Sequence, residues 1–447
     1  MIEGLYNSEG VPLVHFGRNH FAITKGSPDQ RPAVSKQTEV IEDKTTVGSY
    51  TTVAWGANND FPDTALKTIG KIGVLNTGLK FIRNFTIGQG IFPCNVTGYT
   101  DDGNEILKVV DDKEVISFLN SRMVRRYLEK ATRDYLKFGR ANAQLLLNED
   151  KSQMVGINTL NTIFCRDTLA EKGLIKKLIV SGKFPDNPGD GEFEAYDMLD
   201  EYDPIGNLDL LKLTGNMADS YIFPIRDSWS NYEYYSEPIW LSSYNAGWTE
   251  IATLVPLFLK KMFENAITLK WHIQIPYAYW DKKFPLAEYP NAKTRKTAIE
   301  AFMDEIEDNL TKPENAGKAI FSFFEMNPNG KAEEQWVITA LDGKTQSKEN
   351  LITSAAANSE ILFSMMINPN VLGAGMPGGT YAGNQGGSNI REAYLVNIAN
   401  AWIDRQTLLD PLEAYLHFNG KTDIELRFRS TILTTLDTGA GTTKKLS

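Results

Sequence analysis

Two segments with helical periodicity, separated by a long insertion, constrain the fold of this 447-residue sequence more than any other feature. The segments 248–262 and 347–366 place apolar residues three or four positions apart, so each predicts a helix with an apolar stripe. The stripes hold Trp248, Ile251, Val255, Phe258 and Met262, then Leu351, Ala355, Leu362 and Met366. Two such helices can pack antiparallel as a stalk, which leaves the insertion, 267–345, at one end of the stalk.

A glycine-rich stretch lies at the other end of the predicted stalk. Residues 373–387 contain seven glycines and no charged side chain. Glycine reaches backbone conformations that other residues avoid, so the stretch predicts a loop with conformational freedom. Gly373, Gly375 and Gly378 also match the GxGxxG spacing of dinucleotide-binding proteins, but that motif needs a strand before it. Here a helix precedes the glycines, so the loop is the favoured interpretation and a nucleotide-binding enzyme is an alternative.

The rest of the chain predicts an α+β domain, a small α/β insertion and a long C-terminal helix. Residues 1–50 read as an extended arm and 437–447 as a flexible tail. The predicted helices outside the stalk cover 65–82, 112–138 (ended by Gly139), 299–310 and 388–416, with a kink or restart at Pro411. Pro256 predicts a second kink or restart, inside 243–266. The predicted strands are 141–147, 174–180, 210–213, 319–324, 335–339 and 424–428, and 267–285 reads as a strand and a loop.

Charge and composition argue against several classes of function. The chain has 46 basic and 56 acidic residues, a net charge of −10, so a uniformly basic surface that coats nucleic acid is not expected. Its four histidines form no HExxH motif, and Cys94 and Cys165 form no CxxC pair. We therefore expect no metal, no cofactor and no catalysis. Neither a secretory signal nor a membrane helix is expected from the apolar runs.

Several short motifs resemble those of one known family, and their order is more informative than any of them alone. The motifs are WGANNDFP at 55–62, IRNFTIGQGI at 82–91, YLKFGRANAQLLL at 135–147, YSEPIW at 235–240, and NSEILFSMMINPNVLG at 358–373. The glycine stretch and then SNIREAYLVNIANAWIDRQTLLDPLEAYL, at 388–416, follow. In this order they resemble the portal proteins of tailed bacteriophages, of the compact type with little or no crown. Ser236 replaces a family glycine, and Asn368-Pro369-Asn370 replaces a Val-Pro-Pro type of turn.

The resemblance implies an architecture for each segment. It implies a wing at 51–242, stem helices at 243–266 and 346–366, and a clip at 267–345. It also implies a tunnel loop at 367–387 and a long wing helix with a C-terminal strand at 388–436. The tunnel-loop residues would be Gly373, Gly375, Met376, Gly378, Gly379, Tyr381, Asn384, Gln385 and Gly387.

The resemblance also implies a function and partners. Twelve copies would form a ring at one capsid vertex, through which double-stranded DNA passes during packaging and ejection without sequence-specific contacts. The implied partners are the major capsid protein, the terminase large subunit and a head-tail adaptor protein. The implied location is the virion, with assembly in the host cytoplasm. Another ring-forming virion component, of a tail or baseplate, is a second alternative.

The charge distribution fits a channel that conducts DNA. A duplex carries one negative charge per about 1.7 Å of axis, so a strongly basic channel would hold it and stall its movement. An uncharged loop in an acidic chain would neither hold the duplex nor stall its movement. Lysines near the ends of the predicted stem, which could present sparse positive rings to phosphates or be ordinary solvated side chains, are Lys260, Lys261, Lys270, Lys344 and Lys348.

Overall fold

The computed structural model describes most of the chain and divides into two compact units. The described residues are 15–16, 19–20, 44–101, 103–171, 173–230, 234–266, 271–311, 325–326, 332–333, 337–340, 344–372 and 387–430. The first unit takes those within Met1–Thr249, Asn358–Met376 and Tyr381–Ser447, and the second takes those within Glu250–Ala357. Both units contain helices and strands, which confirms the predicted α+β class.

The first unit begins with short strand pairs and two pairs of consecutive helices. These elements are β1 His15–Phe16, β2 Asn19–His20, β3 Lys44–Val47, β4 Tyr50–Val53, α1 Phe61–Lys71, α2 Gly73–Ile87, β5 Ile91–Tyr99, β6 Glu105–Val109, α3 Lys113–Leu119 and α4 Arg122–Phe138. The sequence predicted one helix for α1 and α2 and one for α3 and α4, which was wrong. Ile72 takes an extended conformation that separates the first pair. Ser121 begins α4 as an N-cap that accepts a hydrogen bond from the Val124 N–H.

A six-stranded sheet forms the centre of the first unit. Its elements are β7 Arg140–Leu147, β8 Met154–Leu160, β9 Cys165–Asp167, β10 Lys177–Val180, β11 Glu194–Met198 and β12 Ser220–Arg226. The strand order is β8-β7-β12-β11-β10-β9, and every pair is antiparallel except β11 with β12. Helix α4 packs on β7 and β8, and Leu145, Leu178 and Ile222 of the sheet are fully buried.

One predicted strand of this region is a helix. Residues 210–213 lie in α5, Pro204–Thr214. Asp203 caps that helix through a 3.0 Å hydrogen bond from the Gly206 N–H, and Pro204 occupies its first turn. The Asp-Pro pair is a helix-start signal that outweighs the short apolar run.

The segment that contains the second unit runs from α6 to α10. Its elements are α6 Leu241–Asn245, α7 Trp248–Ala266, β13 Trp271–Gln274, α8 Tyr277–Lys283, α9 Ala292–Thr311, β14 Glu325–Met326, β15 Ala332–Glu333, β16 Val337–Ala340 and α10 Lys344–Ser364. Helix α7 continues across Pro256 as one element, so the predicted restart is absent. Part of the predicted loop at 267–285 is α8, whose Trp280 packs on Phe302 of α9. The predicted strand at 319–324 lies outside the described residues.

Strands β13 and β16 join the two ends of the insertion. They pair antiparallel in the register Trp271↔Ala340 to Gln274↔Val337. Because β13 follows α7 and β16 precedes α10, the chain leaves α7 and returns to α10 at this strand pair. This connection fits an antiparallel stalk, although the packing of α7 against α10 stays a prediction.

The first unit is completed by elements after α10. These are a short 3-10 helix Pro369–Leu372, α11 Gly387–Asn400, α12 Trp402–Phe418 and β17 Glu425–Phe428, which pairs with β5. The predicted long helix is interrupted, but at Ala401 instead of Pro411. Pro411 lies inside α12, where Leu408, Leu409 and Leu412 are fully buried. Their packing maintains the helix although Pro411 has no N–H to donate.

Candidate functional site

The predicted tunnel loop and stem lysines are only partly within the described residues. Those outside are Gly373, Gly375, Met376, Gly378, Gly379, Tyr381, Asn384, Gln385 and Lys270. Gly387 is the first residue of α11 instead of a loop residue. Lys260 and Lys261 are exposed near the end of α7, and Lys344 and Lys348 lie in the first turns of α10. Their proposed contacts with phosphates therefore stay predictions.

The chain is held on helix α2 immediately before the glycine stretch. A Cβ atom on Gly78 of α2 would lie 2.5 Å from the Met365 Cε and 3.1 Å from the Ile367 Cδ1. The absence of a side chain at Gly78 leaves the space that the ends of the Met365 and Ile367 side chains occupy. Met366, between those two residues, takes a left-handed conformation (φ 53°) and donates its N–H to the Phe363 carbonyl over 2.9 Å. The turn ends α10 and directs its last residues onto α2.

The chain is held on the same helix after the glycine stretch. Arg405 of α12 is buried and donates to the last carbonyls of α2, over 3.0 Å to Thr86 and 3.1 Å to Phe85. These carbonyls have no partner within the helix, and the negative end of the helix dipole favours a cation there. Burial lowers the pKa of Arg405, yet a guanidinium stays protonated at neutral pH. The chain therefore contacts α2 just before the predicted tunnel loop, at Met365 and Ile367, and again after α11, at Arg405.

A buried polar cluster connects three of the motifs that carried the family resemblance. Trp55 of WGANNDFP stacks on Tyr235 of YSEPIW with ring centroids 4.5 Å apart. The Arg140 guanidinium, from the FGRA part of the third motif, lies over both rings at 5.6 and 5.3 Å. Such stacked cations and rings contribute most when they are shielded from water, as here.

Arg140 is neutralised by one buried carboxylate. Its two terminal nitrogens donate to the Asp167 oxygens over 2.6 and 2.8 Å, and one also donates to the Tyr234 carbonyl over 2.8 Å. Arg226 donates to the same carboxylate over 3.1 Å. Burial alone would lower the pKa of Arg140, but the adjacent Asp167 reverses this and raises it. No local pattern in the sequence predicts this pairing, because Arg140 and Arg226 are 27 and 59 positions from Asp167.

A second buried arginine fixes the Trp55 turn. Asn59 has a left-handed backbone (φ 57°), and its side-chain oxygen accepts from the Trp55 N–H over 3.0 Å. Arg166 donates to that same oxygen and, over 2.6 Å, to the Asn59 carbonyl. The Asn-Asn pair of WGANNDFP is therefore a structural turn, and Arg166 is the residue that sequence reasoning missed.

Gly139 explains why the helix-glycine-strand motif and the YSEPIW motif belong together. A Cβ atom on Gly139, whose φ is 72°, would lie 2.6 Å from the Ser236 carbonyl oxygen and 2.8 Å from the Glu237 carbonyl carbon. Trp240 then donates its indole N–H to the Lys137 carbonyl over 3.1 Å. The segment that leads towards α6 and α7 is thus packed across the C-terminal end of α4.

Helix α7 exposes an apolar face. Leu254, Leu257 and Phe258 are each about half exposed, at 53%, 53% and 52%. Phe258 belongs to the predicted stripe, of which Ile251 and Val255 are half-buried, and Leu254 and Leu257 lie beside it on the helix surface. Exposed apolar residues that share one helix face are typical of surfaces that contact another protein.

Metal-ligand clusters and reactive thiols are absent from the part of the chain that the structure describes. Within the described ranges, no group of three or more His, Cys, Asp or Glu side chains could hold a metal ion. Cys94 and Cys165 are free and buried, and burial raises their thiol pKa values to about 11 and about 12. Thiols with such values are poor nucleophiles at neutral pH. Among the helices that the structure describes, none has the length and hydropathy to cross a bilayer.

Comparison with known proteins identifies the fold. No protein-family model matches the sequence, and no curated protein matches it significantly. Solved structures of gene transfer agent (GTA) particles do match. A chain in the neck of an empty GTA particle, computed with C6 symmetry, has a TM-score of 0.52 and 14% identity, covering 86% of each chain.

Two further matches come from the native GTA particle. A chain of its neck, computed with C12 symmetry, gives a TM-score of 0.51 at 16% identity and covers 83% of this chain and 84% of the other. A chain of its virion gives 0.50 at 15% identity, covering 86% of each. At these identities the likeness concerns the fold. The chain is therefore similar in fold, over most of its length, to chains of GTA particles, which fits the predicted portal-like α+β fold.

Proposed function

We propose that this chain is a portal protein, which forms a ring of about twelve copies at one vertex of a phage-like particle and conducts double-stranded DNA. The observation that carries the proposal is the shared fold with chains in the neck of GTA particles, over 83% to 86% of both chains. One of those necks was computed with C12 symmetry and one with C6, and both symmetries fit a ring of twelve. The order of motifs along the sequence supports the same proposal independently.

The surface of α7 supports a ring. Leu254, Leu257 and Phe258 would be covered if the α7 helices of neighbouring copies packed side by side around an axis. Burial of apolar area is the main driving force of such association. In this arrangement α7 and α10 form the stem, and the residues between them form the clip.

The anchors on α2 support a tunnel loop at 373–386. The proposed loop would begin just after the contact of Met365 and Ile367 with α2 and would end at α11, whose successor α12 is held on α2 by Arg405, while its glycines retain freedom. A ring and a helical duplex have different symmetries, so loops of neighbouring copies must be able to differ. We assign the loop no catalytic role, and the chain no cofactor.

The proposed partners follow from the proposed location in the virion. We expect the clip to meet the terminase large subunit during packaging and a head-tail adaptor protein afterwards. We expect the wing to meet the major capsid protein. Lys260, Lys261, Lys270, Lys344 and Lys348 are proposed to make weak, non-specific contacts with DNA phosphates.

Imaging tests the proposal directly. The full-length chain should be expressed with the major capsid protein of the same particle, and the particles examined by cryo-electron microscopy without imposed symmetry. A ring at a single vertex, with an open channel on its axis, supports the portal. A ring found only along a tail or in a baseplate supports the alternative virion component and contradicts the portal.

A further inference from the structure

Helix α4 presents a basic face to solvent. It carries six basic residues, Arg122, Arg125, Arg126, Lys130, Arg133 and Lys137, and only two acidic ones, in a chain whose net charge is −10. Arg122, Arg125 and Arg126 are exposed and line a shallow hollow with Glu129. The Arg126–Glu129 ion pair is 3.9 Å long with both side chains more than half exposed, so it neutralises little of this charge.

The loop between β10 and β11 presents the opposite charge. Asp186, Asp190, Glu192 and Glu194 are all exposed, and we call these four residues the acidic loop. Lys183 is the basic residue of this segment, and it pairs with Glu192 over 3.3 Å. The loop is ordered, because the Glu192 carboxylate accepts from the Gly189 N–H and the Asn187 side chain donates to the Thr46 carbonyl, both over 3.0 Å.

The sheet keeps the two charged surfaces apart. Helix α4 packs on β7 and β8, at one edge, whereas the acidic loop joins β10 and β11 near the other edge. From β8 to β10 there are four strand spacings, or about 19 Å at about 4.8 Å each. The two surfaces of one copy therefore belong to different flanks of the wing and are available to different neighbours.

This arrangement fits one type of assembly. In a two-fold interface a surface meets itself, so α4 would oppose α4 and like charges would repel. In a head-to-tail interface one surface meets a different surface of the next copy, and such interfaces close into rings. A basic flank and an acidic flank on the same copy are complementary only in the second type.

We propose that, in the ring, the basic face of α4 on one copy docks against the acidic loop of the next copy. This inference rests on the proposed function and assigns the contact between copies within it. Complementary charges at an interface select the correct partner and register and raise the association rate. DNA phosphate is another ligand for exposed arginines, but the acidic chain disfavours a polyanion and offers its own complementary surface.

Charge reversal tests the proposal on the full-length chain. Arg122→Glu/Arg125→Glu changes the charge of the exposed hollow, which includes Arg126 and Glu129, from +2 to −2. Asp186→Lys/Asp190→Lys changes the charge of the acidic loop, counted with Lys183, from −3 to +1. The substituted side chains are exposed, and acidic residues suit the first turn of a helix, so folding is preserved. Lys67→Glu/Lys80→Glu, on exposed positions of α1 and α2, is the matched control for the change in charge. The ring fraction is measured by mass photometry at fixed concentration, and folding by circular dichroism.

Each reversal alone should lower the ring fraction about tenfold or more, whereas the control should leave it unchanged. An equimolar mixture of the two reversals should restore the ring, because all-acidic and all-basic copies can alternate around an even number of positions. A chain with all four substitutions should also assemble, because its flanks are exchanged. Raising the salt concentration should weaken the wild-type ring.

A failure of the docking inference can be distinguished from a failure of the proposed function. If the wild-type chain forms rings and the reversals form them equally well, the docking inference is wrong and the proposed function stands. If Arg122→Glu/Arg125→Glu leaves the ring intact but weakens binding to a 30-base-pair duplex, α4 is a DNA surface and the inference is wrong. A wild-type chain that stays monomeric at all concentrations, alone and with capsid protein, contradicts the ring itself.

Discussion

The two units of this chain bury different kinds of side chain. The first unit buries charge: Arg140, Arg166 and Asp167 are each no more than 1% exposed, and all are hydrogen-bonded. In the second unit, the buried apolar side chains among those described are Phe284 and Ala357. Its helix α7 instead leaves large apolar groups at the surface.

The difference indicates which unit is complete as a monomer. A buried, hydrogen-bonded charge cluster requires precise positions of its members, so the first unit has to be well packed before any partner arrives. A helix with exposed leucine and phenylalanine gains stability only when another surface covers it. We therefore expect the first unit to be a rigid frame and α7 to depend on neighbouring copies.

The largest effect is expected from breaking the charge cluster. Asp167→Ala would leave Arg140 and Arg226 without their shared buried carboxylate, and an uncompensated buried charge costs about 3 to 5 kcal/mol. Urea denaturation of the full-length chain should show this loss. The matched control is Asp197→Ala, which removes a 2.7 Å pair with Lys177 whose side chains are 34% and 47% exposed. That control should cost about 1 kcal/mol or less. Equal losses would show that Asp167 is not the centre of a buried cluster.

A smaller loss is expected at the close approach of Gly139. Gly139→Ala places a Cβ atom against the backbone of Ser236 and Glu237 and strains a left-handed position, so we expect about 2 to 4 kcal/mol. Gly215→Ala provides the control, because Gly215 has the same φ of 72° with nothing within 4 Å. It should cost only about 1 kcal/mol. The difference between the two variants, measured by urea denaturation, isolates the contact with the YSEPIW segment. A difference near zero would contradict that contact.

The apolar face of α7 should matter for assembly and little for folding. Leu257→Gln keeps a good helix former and exposes no core, so the monomer should lose about 1 kcal/mol or less. The ring fraction, measured by mass photometry, should nevertheless fall strongly. Glu250→Gln, a polar change on the same helix, should leave both quantities unchanged. A ring fraction that Leu257→Gln does not alter would show that this face is not between copies.

The smallest expected effect is a pH-dependent change in the stability that Asp404 contributes. Burial raises the pKa of this carboxyl, which accepts a hydrogen bond from Tyr135 over 3.0 Å. The unfolded chain loses its proton near the ordinary pKa while the folded chain retains it, so this group's contribution to stability falls as pH rises through that window. The Asp404→Asn variant has no carboxyl at this position and so avoids this loss of stability. The difference between its melting temperature and that of the wild type should therefore increase from pH 4 to pH 7.

Glu105→Gln is the control of opposite sign. A hydrogen bond from Arg427 lowers the pKa of Glu105, so its contribution is present above the ordinary pKa and is lost as pH falls. That variant should be less stable than wild type at pH 7 and approach it towards pH 3. If both variants shift in the same direction, the burial of Asp404 is not the cause.

Periodicity predicted the elements that have one apolar face and failed where tertiary contacts decide. It identified α7 and β17 closely, found α9 without its first turns, and merged α3 with α4. It joined α1 to α2, since the apolar spacing continues through Ile72 although the backbone does not. It also placed the break of the last helix at Pro411, where buried leucines hold the helix together.

The candidate site was predictable only in part. The glycine stretch is visible in the sequence because composition alone marks it. The contacts of the flanking chain with α2 are not visible in the sequence. Arg405 binds carbonyls about 320 positions away, and nothing in the sequence distinguishes Gly78 from Gly73, the other glycine of α2. Long-range pairs such as Arg140 with Asp167 have no local pattern, so they emerge only from the folded chain.

If copies of this chain enclose a channel, images of the assembled particle will show it. The full-length wild-type chain, assembled with its capsid protein, should be imaged by cryo-electron microscopy and reconstructed without symmetry. We expect a closed ring of about twelve copies at one vertex, with α7 in the wall of the ring and residues 373–386 facing an open axis. A solid centre, or copies whose α7 helices point away from one another, would contradict it.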